Sequence, residues 1–303
     1  AAAGIPIEVL PEVKYQPWEP RGVLGRDAYE IGLLPGTMLV AGGGDDPAAA
    51  LGSGVVDVGD VSIGTGSSMS WRAVDEEPRP DPTGLIGSMP HLVPDRYLHE
   101  MVVVGSGTTL RWFRDAFGGG AHYPQLIAEA AAVPAGSDGL MCFPFVEGAS
   151  VPVQDDNVRA TFYGVSSHHG RGHFVRALLE GIAYQYPALL DVITSRGLKA
   201  QTLTISDGEA RSELWNQIKA DVLGEALTPA LRVEAPSIGA AILAGYGAGL
   251  FGSITEGVAV AVDVAAAVVP GEAGHAGYRQ LRSRWEQVRD QIYPTLAASP
   301  SAP

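Results

Sequence analysis

The chain has 303 residues, 46% hydrophobic and 18% charged, which supplies apolar material for a sizeable core and excludes wholesale disorder. Its 20 basic against 34 acidic residues leave a net charge of −14, a surface that repels polyphosphate backbones and argues against nucleic-acid binding. A single cysteine, Cys142, cannot close an intramolecular disulfide and points to the cytoplasm, and no apolar run is long enough to span a membrane.

Residues 1–36 read as Pro-rich and loop-like, with a short helical pattern near 27–31. They open on small residues without Met or a signal pattern, as the middle of a longer protein would. Residues 37–41 are expected to form a buried strand that ends in Gly42, Gly43 and Gly44, then Asp45 and Asp46, before a small-residue helix from Ala48. Residues 60–63 and 68–71 read as strands flanking Gly64, Thr65, Gly66 and Ser67. Short strands are expected at 141–145 and 203–206. One helix is expected to carry Phe174, Leu178, Ile182, Ala188 and Leu189 on a single stripe. A second starts at a Ser212 cap, presents Leu214, Ile218 and Val222, and stops at Gly224. A third repeats Tyr278, Leu281, Trp285, Val288 and Ile292 at intervals of three and four, the spacing of a core-facing stripe. Residues 237–250 are almost wholly Ala, Gly, Ile and Leu, so that helix backbone can approach a neighbour or a ligand closely. Strands alternating with helices give an α/β fold.

Three places can carry chemistry. Asp45 and Asp46 follow glycines at a strand's carboxyl end, where a carboxylate can take a proton from a substrate hydroxyl; either can equally cap the next helix. The Gly64 to Ser67 tip offers N–H and O–H donors to phosphate oxygens, or is an ordinary turn; it lacks the lysine of a Walker loop. Asp207, Gly208, Glu209, Ala210, Arg211 and Ser212 lead from a strand to a helix N-terminus, where nucleotides bind and where a plain Ser212-capped connection also fits. His168, His169 and His173 cluster without a clear fourth ligand, so no metal site is expected, and Cys142 reads as a core residue.

Taken in order, these segments resemble the FGGY family of sugar kinases, its xylulokinase branch above all, over about residues 22–293. The resemblance rests on Gly36 to Asp45, on Ser62 to Ser67, on residues 160–181 with His169, Arg171, His173, Arg176 and Glu180, on Ala210 to Asp221, and on the helix around Gly239, Ala240 and Ala241. It implies a pair of actin-like, RNase H-like (ASKHA) α/β domains with ATP and sugar in the cleft between them. Residues 1–52 would end the N-terminal, sugar-binding domain, residues 53–297 would form the nucleotide-binding domain, and 298–303 a tail. The family's first phosphate loop would lie upstream, so this chain by itself is expected to be inactive.

The implied activity is ATP- and Mg²⁺-dependent phosphorylation of a sugar or polyol hydroxyl, D-xylulose to D-xylulose 5-phosphate first. Another pentulose or polyol (ribulose, erythritol, a glycerol-like substrate) and a non-catalytic nucleotide-binding relative are the alternatives. Asp45 would be the base, and Gly44, Asp45 and Asp46 would meet the sugar. Gly64, Thr65, Gly66 and Ser67 would meet the phosphates. Gly208, Glu209, Ala210, Arg211, Ser212 and Gly239 would hold the nucleotide, with the base against 239–241. Asp46, directly ahead of Pro47, is expected to be the helix N-cap. Three departures from the family stand out: Asp207 and Glu209 where it carries glycine, Ala149 and Ser150 where it carries two charged residues, and Asp46 where xylulokinases commonly carry Asn. No membrane partner is implied, and a homodimer is left open.

Overall fold

The computed structural model describes residues 6, 9, 16–66, 68–151, 153–232 and 234–297. Two short strands, β1 (Pro20–Val23) and β2 (Met38–Val40), pair antiparallel and are followed by helix α1 (Asp45–Gly52). The central sheet takes β3 (Asp60–Thr65), β4 (Met69–Asp75), β5 (Gly87–Pro90) and β6 (Tyr97–Val103). Helices α2 (Ser106–Phe117) and α3 (Tyr123–Ala131) and a small antiparallel pair, β7 (Met141–Phe143) and β8 (Thr161–Tyr163), come next. Then follow α4 (Arg171–Ala183), α5 (Tyr186–Ser195), β9 (Thr202–Asp207) and α6 (Glu213–Leu223). Strand β10 (Thr228–Pro229) and helices α7 (Ala235–Gly247), α8 (Ile254–Ala261) and α9 (Glu272–Ile292) complete the chain's main elements.

The six-stranded sheet has the order β10-β9-β3-β4-β6-β5. β9 runs parallel to β3 and β10, whereas β3, β4, β6 and β5 pair antiparallel. Side chains alternate between the faces of a strand, and here the alternation separates two chemistries. Val61, Ile63, Met69, Trp71, Met101, Leu203 and Ile205 face the main core together with α4, α5 and α6. The residues between them, Ser62, Gly64, Ser70, Arg72, Glu100, Thr204 and Ser206, make the opposite face polar along its middle. Val74 and Leu98 then close that face against Ala50 and Val55. Helix α1 packs over it on α7 and α8 through Ala48, Leu51, Ile242, Leu243 and Val258. The α1 start therefore stands at the edge of a polar patch.

Two local expectations change. The stripe from Phe174 to Leu189 belongs to two helices, because Pro187 has no N–H to continue the α4 ladder and sits instead in the first turn of α5. Residues 37–41 do form a strand, but it is not buried: Met38 and Leu39 are 40% and 44% exposed, since β2 pairs with β1 alone. Val23, Ile31 and Leu34 are exposed on the same segment.

His91, between β5 and β6, is buried with both ring nitrogens engaged. Nε2 lies 3.1 Å from the Val55 carbonyl and Nδ1 accepts the Val93 N–H at 2.9 Å. Burial holds its folded-state pKa down to about 4 from 6.5. The unfolded chain thus binds this proton at a higher pH than the folded one, so the stability His91 contributes is complete above about 6.5 and is lost as pH falls toward 4. The loss expected is about 3 kcal/mol, from the 1.36 kcal/mol that accompanies each pH unit of difference. Thermal melts of the wild type should fall over this window more steeply than those of His91→Asn; parallel curves would count against it.

Candidate functional site

Helix α1 opens directly after the glycine run. Gly44 is its N-cap, in extended conformation, and its carbonyl accepts the Ala48 N–H at 3.0 Å. Asp45 and Asp46 are the first two helical residues, so Asp46 is not the cap expected for it; the cap lies two residues earlier. The Asp46 side chain instead reaches the sheet, where its Oδ1 accepts from Arg72 Nη2 at 2.7 Å. Asp45 is exposed, and its Oδ1 accepts the Asp46 backbone N–H at 3.1 Å. Arg72 lies directly opposite Glu100 in the β4–β6 register, with Nε 3.0 Å from Glu100 Oε1. Burial pushes the Glu100 carboxyl up to about 7, against the pull of Arg72 and with the help of the Asp46 charge.

Alternation also decides where Thr65 points. It continues the core-facing series of Val61 and Ile63, and its hydroxyl donates to the buried Glu209 carboxylate. Glu209 is ion-paired with Lys219, both side chains being essentially inaccessible, and Lys219 Nζ stands 4.2 Å over the Trp215 ring. Tyr186 places its hydroxyl 3.5 Å from the same carboxylate. Burial lowers the Lys219 pKa and Glu209 opposes that, which keeps a compensated pair in the core. The Glu209 side chain thus turns inward, and the Thr65 hydroxyl with it.

Asp207 shows the opposite behaviour. By alternation it should follow Ile205 into the core, but its φ of 65° and ψ of −159° are dihedrals in which glycine is at ease and a side chain is strained. That turn throws its carboxylate onto the polar face. A Cβ built on Gly64 would lie 2.7 Å from Asp207 Oδ2 and 3.2 Å from Arg72 Nη1. Burial raises the Asp207 carboxyl, while Arg72 lowers it and Glu209 adds to the rise.

The β3–β9 register sets Gly64 opposite Ser206 and Thr65 opposite Asp207, so the hairpin tip and the 207–212 turn lie side by side. Gly66 and Gly208 each have nothing within 4 Å of an added Cβ, and the Gly66 carbonyl lies close against Gly107 of α2. Ser67 lies outside the described residues. Ala210 is buried and its carbonyl accepts from Asn216 Nδ2 at 2.8 Å; Arg211 is exposed. Ser212 is the α6 N-cap, accepting the Trp215 N–H at 3.3 Å. Gly239 does not line open space. A Cβ there would come 2.0 Å from the Ala48 carbonyl oxygen, and one on Gly52 would come 1.9 Å from that of Ala235. At Gly239 the small residues of α7 serve an α1–α7 contact.

Residues 59–248 match the C-terminal domain of the FGGY family of carbohydrate kinases. The chain belongs to this family. It is 28% identical over 261 residues to the xylulose kinase of Bacillus subtilis, covering 86% of this chain and 52% of that protein. It is 31% identical over 319 aligned residues to the autoinducer-2 kinase of Yersinia pestis (strain Pestoides F), covering 96% and 57%. The crystal structure of xylulose kinase from Rhodospirillum rubrum superposes with a TM-score of 0.80 at 29% identity, over 96% of this chain and 59% of that one. The chain thus spans a little over half the length of the relatives it matches, and its fold is the actin-like α/β fold of FGGY kinases.

Against this family, the sequence reading missed Arg72, Glu100, Lys219 and Tyr186. For Arg72 a signal existed: a charge between Trp71 and Ala73, one residue past the strand read at 68–71, demands a partner once the strand runs on to Asp75. Gly66 and Gly208, beside a strand end and a helix start, leave open space there; the Gly66 N–H is itself donated to the Ser68 carbonyl at 3.0 Å. Among the described residues no group of three His, Cys, Asp or Glu side chains is placed to hold a metal, and no helix is long and apolar enough to cross a membrane.

Proposed function

We propose that this chain is the nucleotide-binding half of a two-domain kinase that transfers the γ-phosphate of ATP to a hydroxyl of D-xylulose, with residues 1–52 ending the sugar-binding half. The observation that carries this reading is the exposed Asp45 carboxylate at the start of α1, beside the polar sheet face, in a chain similar to xylulose kinases. Asp45 takes the proton of the attacking sugar hydroxyl, and Gly44, with little beyond Pro47 near its Cα, leaves room for the sugar. The N–H at Gly208 receives a phosphate oxygen, and Gly66, whose own N–H is given to the Ser68 carbonyl at 3.0 Å, leaves room for the phosphate chain. With the Thr65 hydroxyl given to Glu209, Thr65 contributes through its backbone. Ser212 and Arg211 border the nucleoside. When bound, Mg²⁺ neutralises charge on the phosphates, which themselves supply most of its ligands.

A second reading has its own observation. Asp46 carries a charge, held by Arg72, where the sugar would approach, which fits a phosphoacceptor other than xylulose. Assays of the full-length kinase with ATP, Mg²⁺ and D-xylulose, D-ribulose, glycerol or gluconate separate these. D-xylulose is expected to give the highest kcat/KM by more than about tenfold, a discrimination one or two polar contacts supply. Preference for another acceptor overturns the substrate, and transfer to none of a wide panel overturns the enzyme.

A further inference from the structure

Arg72 sits where the catalytic helix meets the sheet. Its side chain is 8% exposed, and its guanidinium bridges carboxylates on two elements, Asp46 of α1 and Glu100 of β6. Asp207 of β9 lies beside it across Gly64. The groups around this cation are thus Asp46 from α1, Glu100 and Ser70 from the sheet, and Asp207 from the β9 end, with Glu234 adding its charge at Asp207. Three carboxylates surround one guanidinium.

Helix α1 has no side-chain cap at its start. Its first turn is held to the sheet by the Arg72–Asp46 contact, and Asp45 is the residue immediately before that anchor. A free first turn frays, and displacing a base by a fraction of its hydrogen-bond length removes much of its catalytic effect.

We propose that Arg72 is a positioning residue: it pins Asp46, and through it the Asp45 carboxylate, in the geometry that proton abstraction needs. This rests on the reading of Asp45 as the base. Glu100, directly across from Arg72 in the adjacent strand, is the second anchor that keeps the guanidinium from following Asp46 into solvent.

The test compares the full-length wild type with Arg72→Met, Arg72→Lys, Asp46→Asn and the Asp46→Asn/Arg72→Met double variant, in kcat and KM for ATP. Arg72→Met is expected to lose on the order of 10- to 100-fold in kcat, the scale of a misplaced catalytic group, with KM for ATP within about threefold. Arg72→Lys should recover part of kcat, and the double variant should lose little more kcat than Arg72→Met alone, because both changes break the same contact. A wild-type kcat in Arg72→Met would overturn the inference, as would losses at Arg72 and Asp46 that multiply in the double variant. If the wild type transfers no phosphate, the kinase reading fails on its own. Thermal melts of the same proteins then read the anchor directly: non-additive losses at Arg72 and Asp46 support it and additive ones overturn it.

Discussion

Asp45→Asn in the full-length kinase is expected to reduce kcat by roughly 10²–10⁴-fold, the contribution of a positioned general base, while the protein melts close to the wild type. Asn keeps the size and the hydrogen-bonding oxygen but cannot accept the proton. The stability side follows from the contacts: the Asp45 carboxylate is exposed and accepts one backbone N–H, from Asp46. Loss of a charge at the first turn of a helix costs about 0.3–1 kcal/mol through the dipole, and little else is removed. The structure separates this variant from its neighbour on a different ground from the one the sequence suggested. Asp46 was expected to cap α1, yet Gly44 holds that place and Asp46 is bound to Arg72. Asp46→Asn should therefore act through the ion pair, lowering turnover less than Asp45→Asn does. An essential Asp46 beside a dispensable Asp45 would move the base by one residue and overturn the assignment.

What was legible in the sequence is what local chemistry decides. The β3–β4 hairpin shows itself by glycines between alternating strands, and α6 by Ser212 at its start and Gly224, at φ 77°, at its end. Trp285 and Tyr278 of α9 face the core at their three- and four-residue spacing. What was not legible depends on neighbours distant in sequence. Glu209 reads as a charge near a phosphate until Lys219, ten residues on, is seen buried against it. The strand at 38–40 reads as buried because its residues are apolar, but burial needs a second layer that these elements do not supply. At Asp207 part of the signal was present, since the family carries glycine there; that the strained backbone sends the carboxylate to the side of Arg72 depends on the neighbouring strand.

The α1–α7 contact carries the other large effect. Gly239→Ala is expected to destabilise the protein by about 1–3 kcal/mol, the usual cost of forcing atoms into a filled interior, and Gly239→Leu by more. A Cβ at 239 meets the Ala48 carbonyl oxygen at 2.0 Å and its carbon at 2.7 Å, and backbone cannot rotate away as a flexible side chain would. Gly52 makes the reciprocal approach, its Cβ position lying 2.8 Å from the Gly239 nitrogen, so the two helices cross with no side chain between them at that point. Relief must come from moving α1, and α1 carries Asp45 at its free end. Melting temperature and kcat should therefore fall together, with the affinity for ATP analogues changing least. An adenine ring against 239–241, as the resemblance implies, would instead have bulk at 239 block the nucleotide and spare the fold. The two accounts part on one pair of measurements, thermal melts and ATP-analogue binding on Gly239→Leu. A variant that melts like the wild type but has lost the nucleotide would restore Gly239 to the binding site. One that is destabilised, yet binds the analogue where it remains folded, places Gly239 in the seam that positions the base.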